Sequence, residues 1–160
     1  MLNYSNKKIR IRKSLPPGSI LARPKKQNID TSRKAAEIAL WLREKKAFEV
    51  MAFDLSGLCS VAEAMIVATA ASIRHGQGIA DHLLKKVSEG KVEMLGMEGY
   101  EAGQWILVDL NDVLVHIFQK DTRRNINLEG LWSDAATIEL PEEEQETSCG
   151  SAYFAHPRIE

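Results

Sequence analysis

The chain has 160 residues, of which 44% are apolar and 27% charged, and this composition suits one soluble domain with a real core. No apolar run approaches the roughly 20 residues that a bilayer-spanning helix needs, so we predict no membrane segment. The net charge is −1, but residues 1–29 carry +8, residues 137–160 carry −5 and residues 30–136 therefore carry −4.

This asymmetry predicts three regions: a basic flexible arm at 1–29, a folded domain at 30–136 and an acidic flexible tail at 137–160. The acidic folded region argues against a nucleic-acid-binding domain and suits a basic protein partner, while the arm could contact RNA phosphates.

The two cysteines, Cys59 and Cys149, have no metal-ligand spacing and fit a reducing compartment, so we expect a cytoplasmic protein. The acid-free N-terminus also fits an organellar transit peptide. A plain basic arm is favoured over that alternative, because Ser is sparse and Pro16-Pro17-Gly18 breaks any helix.

The first predicted element is an amphipathic helix at residues 33–46, with apolar residues at helical spacing and a basic last turn. Two short apolar runs, at 48–55 and 65–69, predict central strands buried on both faces. Ser72 then caps a second helix at 73–89, which has one apolar stripe. Residues 92–95 fit a short strand.

Residues 105–118 have the pattern of a β-hairpin, with Asn111-Asp112 as a tight turn. Alternation places Trp105, Leu107 and Asp109 on one face of its first strand and the intervening apolar residues on the other. After the hairpin we predict a charged loop at 120–125, one or two helical turns at 128–132 and an irregular tail. The order of elements predicts an α/β or α+β fold with a mixed sheet of about five strands covered by helices.

The alternation pattern supports two interpretations of Trp105 equally well. Its same-face neighbour Leu107 favours a core aromatic, whereas Asp109 on that face favours an exposed interface anchor. Arg74, in the first turn of the second helix, is unfavourable to the helix dipole, so we expect it to meet a carboxylate of a partner or of the domain itself.

Asp54, Asp109 and Asp112 suggest an alternative function. Three carboxylates on neighbouring strands could hold Mg²⁺ for phosphoryl or nucleotidyl transfer. The simpler interpretation is a turn residue at 112 and a solvent-facing strand residue at 109, because no phosphate-binding glycine loop accompanies them. His75 and His82 lack the spacing of a zinc site, so we predict no metal and no cofactor.

The chain also carries ordered motifs that resemble the ribosomal silencing factor (Iojap-like, RsfS) family. They are DLSGLCS at 54–60, IVAT at 66–69, SIRH at 72–75, IAD at 79–81, GMEG at 96–99, WILVDLNDVLVHIF at 105–118 and LEGLWSDA at 128–135. The resemblance covers roughly residues 33–136.

This resemblance implies a fold related to nucleotidyltransferases but without catalysis. It implies binding to the large ribosomal subunit through the large-subunit protein numbered fourteen, and a steric block on joining of the small subunit that represses translation during starvation. The family's interface tryptophan falls on Trp105, which favours the anchor. The predicted partner-binding residues are Trp105, Glu98, Leu107, Asp109, Asp112 and Arg74.

Overall fold

The computed structural model describes residues 29–141, which form a mixed α+β domain built on one six-stranded sheet. The helices are α1 (Ile29–Glu44), α2 (Ile73–Glu89), α3 (Lys120–Ile126) and α4 (Leu128–Leu131). The strands are β1 (Phe48–Asp54), β2 (Ala64–Ala70), β3 (Gly96–Glu98), β4 (Trp105–Asp109), β5 (Val113–Gln119) and β6 (Ala136–Ile138). Their order across the sheet is β3-β4-β5-β2-β1-β6.

Strand β2 lies at the centre of the sheet. It pairs in parallel with β5 and antiparallel with β1, and every other pair of neighbouring strands is antiparallel. All seven residues of β2 are buried, as a strand covered on both faces requires. Strand β1 does not share this pattern, since its first half is exposed, so the prediction of two doubly buried strands is right only for β2.

Helices α1 and α2 cover one face of the sheet and form the larger core with it. The apolar stripe of α2 buries Ile79, Leu83 and Val87 against this core. This burial explains why the spacing of its apolar residues predicted the helix. Its start is fixed by Ser72, whose side chain accepts the backbone N–H of His75 at 3.1 Å, as predicted for the cap. None of the helices in residues 29–141 has the length and apolar character to cross a membrane.

The other face carries a smaller core, which covers only part of the sheet. Five fully or nearly buried side chains from β1, β2, β5 and the segment after β1 pack under Leu128, Trp132 and Ala135; they are Phe53, Leu55, Met65, Val67 and Phe118. Trp132, directly after α4, therefore contacts the smaller core from outside.

A buried arginine in α3 ties this cover to the sheet. The Arg123 side chain donates to the Glu129 carboxylate at 2.6 Å, to the Thr69 hydroxyl at 2.7 Å and to the Glu49 carbonyl at 2.8 Å. The Glu49 carbonyl lies at an irregularity in the β1–β2 pairing between Phe48 and Met51. One side chain thus joins α3, α4, β1 and β2. Because the guanidinium is buried, losing any of these hydrogen bonds would destabilise the fold.

Several predicted boundaries are wrong. The predicted loop at 120–125 is helix α3, the predicted short strand at 92–95 lies instead at Gly96–Glu98, and α1 begins four residues earlier than predicted, at Ile29. The sheet has six strands because β6 pairs with β1, so residues 137 and 138 belong to the folded domain and not to the acidic tail. The predicted arm up to residue 28 and tail residues 142–160 lie outside the described residues.

Replacing Arg123 with alanine should lower the free energy of unfolding by about 3 kcal/mol, because it leaves the Glu129 carboxylate and two buried oxygens without their donor. Urea unfolding of the full chain measures this. The control is Arg124→Ala: that neighbouring side chain is exposed, and its removal should change stability by less than about 0.5 kcal/mol. Equal losses in both variants would contradict the role assigned to Arg123.

Candidate functional site

The hairpin of β4 and β5 separates its side chains as the sequence predicted. Ile106 and Val108, with Leu110 just after the strand, are fully buried against the helices α1 and α2. Trp105, Leu107 and Asp109 face the other side, where β4 is no longer covered. The two strands join through Asn111-Asp112, and the N–H of Leu110 donates to the carbonyl of Val113 at 3.0 Å.

We call the uncovered part of this second side the open face. It consists of side chains from the three strands at one end of the sheet: Glu98 of β3, Trp105, Leu107 and Asp109 of β4, and Leu114 of β5. The register explains why they meet, because Glu98 pairs with Leu107 and Leu114 pairs with Asp109. Directly opposed residues of neighbouring strands point to the same side of a sheet.

Trp105 is neither sealed in the core nor free in solvent. Its ring stacks on Phe118 of β5, with centroids 5.2 Å apart and planes at 25°, and its Nε1–H donates to Nδ1 of His116 at 3.1 Å. The residue nevertheless keeps 38% of its surface exposed. One side of the indole is therefore fixed to the sheet and the rest is accessible to a partner.

The imidazole that holds the indole is itself buried. His116 is 6% exposed, and burial lowers its pKa from 6.5 to about 4, although the nearby Glu129 carboxylate opposes the shift. Since Nδ1 accepts the indole N–H, the neutral ring carries its own proton on Nε2. At neutral pH His116 is thus an uncharged acceptor.

The backbone before Trp105 is shaped by two glycines with positive φ, Gly99 at +77° and Gly103 at +64°. A side chain at residue 99 would clash with the carbonyl oxygen of Trp105, and one at residue 103 would clash with Ile73 at the start of α2. The two glycines therefore let this loop pass close to both β4 and α2.

The open face is negatively charged around its apolar centre. Glu98 is exposed, and its carboxylate has no hydrogen bond or ion pair among the residues that the structure describes. Asp109 is half-buried, and one of its oxygens accepts the backbone N–H of Asn111 at 2.9 Å. Both carboxylates neighbour Leu107, the same-face residue next to Trp105, so a basic partner lying along β4 would meet them.

Two of the six predicted partner-binding residues do not belong to this face. The carboxylate of Asp112 forms an ion pair with Lys34 of α1, whose ammonium also donates to the carbonyl of Leu110 at 3.2 Å. Arg74 is exposed in the first turn of α2, the helix that covers the opposite face of the sheet. The structure thus brings together Trp105, Glu98, Leu107 and Asp109.

The three carboxylates of the alternative function are not on neighbouring strands. Asp54 ends β1, and two whole strands, β2 and β5, separate it from Asp109 on β4. Within residues 29–141 no three His, Cys, Asp or Glu side chains converge where they could hold a metal ion. The magnesium-dependent transferase therefore has no assembled site in this part of the chain.

The two helical histidines have structural partners. His75 accepts the N–H of Ala71 at 3.0 Å and contacts the carbonyl of Lys45 at 2.7 Å, so it links the start of α2 to the end of α1. His82 contacts the Glu44 carboxylate at 2.7 Å.

Sequence reasoning missed His116 and Phe118 as supports of Trp105, although the signal was present. A two-residue turn at 111–112 sets the register, which pairs Trp105 with Phe118 and Leu107 with His116.

The pKa of His116 predicts an acid-sensitive fold. Between pH 6.5 and 4 the unfolded chain binds a proton at this residue and the folded protein does not, so the free energy of unfolding should fall by roughly 3 kcal/mol on acidification. Urea unfolding at several pH values, compared between the unaltered protein and His116→Asn, isolates this contribution. Identical pH profiles for the two proteins would refute it.

Comparisons with known proteins agree with this fold. Residues 28–156 match the family described as ribosomal silencing factor during starvation. A similar protein, the ribosomal silencing factor RsfS of Halalkalibacterium halodurans, is 42% identical over 97 residues, which cover 61% of this chain and 83% of that protein.

Two solved structures have a similar fold. A crystal structure from Chromobacterium violaceum has a TM-score of 0.61 at 32% identity and covers 69% of this chain and 89% of its own. One from Bacillus halodurans has a TM-score of 0.60 at 36% identity and covers 68% and 99%. With the family match extending over most of its length, the chain belongs to the ribosomal silencing factor family.

Proposed function

We propose that this protein docks through its open face on the large ribosomal subunit, at the large-subunit protein numbered fourteen, and so keeps the small subunit from joining. The observation that supports the proposal is the environment of Trp105. Its large aromatic ring is fixed by Phe118 and His116, and 38% of the residue's surface is exposed. Tryptophan is among the residues most enriched at the energetic centres of protein interfaces.

The charge around the ring supports a basic partner. Glu98 lies opposite Leu107 on the open face, Asp109 follows two positions along β4, and residues 30–136 carry a net charge of −4. Opposite charges speed the encounter of two proteins and fix their relative orientation, even where they add little to the final affinity. A ribosomal protein with lysines and arginines at the docking site fits this arrangement.

The proposed mechanism is steric and needs no chemical step. A rigid domain seated on the joining surface of the large subunit occupies space that the small subunit requires, so translation falls in proportion to the fraction of large subunits occupied. In this proposal the protein is not an enzyme and acts on ribosomes in the cytoplasm. The relation of its fold to nucleotidyltransferases stays a prediction.

The terminal regions have a proposed part as well. The N-terminal arm carries +8 in residues 1–29, and we assign to it a salt-dependent contact with ribosomal RNA phosphates. We assign no partner to residues 142–160 of the acidic tail, which lie outside the residues that the structure describes.

Replacing Trp105 with alanine should weaken binding to purified large subunits by at least about 2 kcal/mol, or roughly thirtyfold, because it removes the apolar centre of the interface. Co-sedimentation or fluorescence titration measures the affinity. The matched control is Leu40→Ala on α1: Leu40 is also 38% exposed but belongs to the helical side of the domain, so affinity should not change. Unchanged affinity in the Trp105 variant would remove the residue from the interface.

The exclusion itself is tested by mixing large and small subunits with increasing protein and separating the products on density gradients. The yield of joined ribosomes should fall as the protein occupies the large subunits, and Trp105→Ala should shift this dependence to higher concentration. Undiminished joining at saturating occupancy would show that the protein binds without blocking.

A further inference from the structure

We propose that His116 is the positioning residue of the docking surface: it holds the Trp105 indole in one orientation, with the only polar group of the ring turned toward the sheet. The binding part of this inference rests on the proposed function, whereas the orientation of the ring can be measured on the protein alone.

The hydrogen bond between the two rings removes the indole's capacity to bond elsewhere. An indole has one N–H and no acceptor, and that N–H donates to Nδ1 of His116 at 3.1 Å. A partner therefore meets an indole that offers carbon atoms only. The matching site on the partner is apolar, such as the methylene stem of a lysine or arginine, and gains nothing from a hydrogen-bond acceptor placed at the ring.

The imidazole can perform this task because it is itself held. Its ring lies parallel to that of Phe118, with planes at 9° and centroids 6.0 Å apart, and Trp105 stacks on Phe118 as well. His116 is 6% exposed and Phe118 is fully buried, so both rings belong to the interior. Three rings from two paired strands thus form one unit, of which only Trp105 reaches the surface.

Fixing the ring before a partner arrives should strengthen docking. An exposed side chain that is free to change rotamer loses this freedom when it is buried in an interface, and a side chain already held in one rotamer loses much less. Removing the acceptor at residue 116 should therefore weaken binding to large subunits by about three- to tenfold, even though His116 is too deeply buried to be a main contact.

The decisive experiment is a double-mutant cycle for affinity to large subunits, made with full-length protein. His116→Leu keeps an apolar side chain without an acceptor, and Trp105→Phe keeps an aromatic ring without the N–H. We expect His116→Leu to weaken binding in the unaltered background and to have no further effect when Trp105→Phe is present. An undiminished effect of His116→Leu in the Trp105→Phe background would mean that His116 acts by another route, and the inference would be overturned.

A second measurement reads the orientation in the free protein. The indole N–H groups of Trp41, Trp105 and Trp132 give separate NMR signals, and the Trp105→Phe variant identifies the one from Trp105. In the unaltered protein that proton should exchange slowly with solvent, and His116→Leu should accelerate its exchange at least tenfold while the other two indoles stay unchanged. His116→Asn, whose side-chain oxygen lies near the position of Nδ1, should restore slow exchange.

These two measurements separate the inference from the proposed function. If Trp105→Ala leaves subunit binding intact, the docking role of the open face is lost, yet the exchange of the indole proton still decides whether His116 holds the ring. Fast exchange of the Trp105 indole in the unaltered protein overturns the inference whatever the binding result. Should His116→Leu fail to fold, His116→Val, which also lacks an acceptor and suits a strand position, takes its place in both measurements.

Discussion

The register of the β4–β5 hairpin is the constraint on which the rest of the site depends. The two-residue connection at 111–112 pairs Trp105 with Phe118 and Leu107 with His116, and strand alternation then sends these four side chains to one side. A slip of one residue would exchange the two sides of β4, burying Trp105 and Asp109 under the helices and exposing Ile106 and Val108. Burial of the helix-facing residues therefore selects the register, and the register builds the open face.

This dependence ties the open face to the stability of the whole domain. The indole rests on Phe118, which belongs to the smaller core under α3 and α4, while the backbone before it passes Ile73 at the start of α2. No flexible loop carries the exposed ring. A surface built on paired strands changes little between the free and bound protein, which suits a factor whose proposed action is to fill a space.

The hairpin and α2 could be predicted because their signals are local. Alternating apolar residues, a tight turn and a capping serine each act within a few positions of the chain. Helix α3 could not be predicted in this way: its sequence is almost entirely polar or charged, and it is held by Arg123, whose partners Glu49 and Thr69 lie 74 and 54 positions away. Strand β6 is three residues long, and only its pairing with β1 makes it a strand.

The same division holds within the site. The face of Trp105, Leu107 and Asp109 followed from alternation, and Glu98 joined it through the pairing of β3 with β4. Asp112 looked available in the sequence, but Lys34, 78 positions earlier, neutralises it from the far side of the sheet. No nearby residue indicates such a partner, so the sequence alone overstates the number of carboxylates that a docking protein could reach.

The positions at which the two charged termini join the domain are set by the fold. Helix α1 begins beside the hairpin turn, since Thr31 donates to Glu63 and Lys34 contacts Asp112, whereas β6 lies at the opposite sheet edge, four strand positions or roughly 20 Å from β4. The cationic segment therefore enters the domain at the turn end of the hairpin, whereas Trp105 lies at the other end of β4, and the anionic segment follows the strand at the far sheet edge. In the proposed mode of binding, the arm and the open face would be two linked contacts of one molecule, and two linked weak contacts release more slowly than either contact alone.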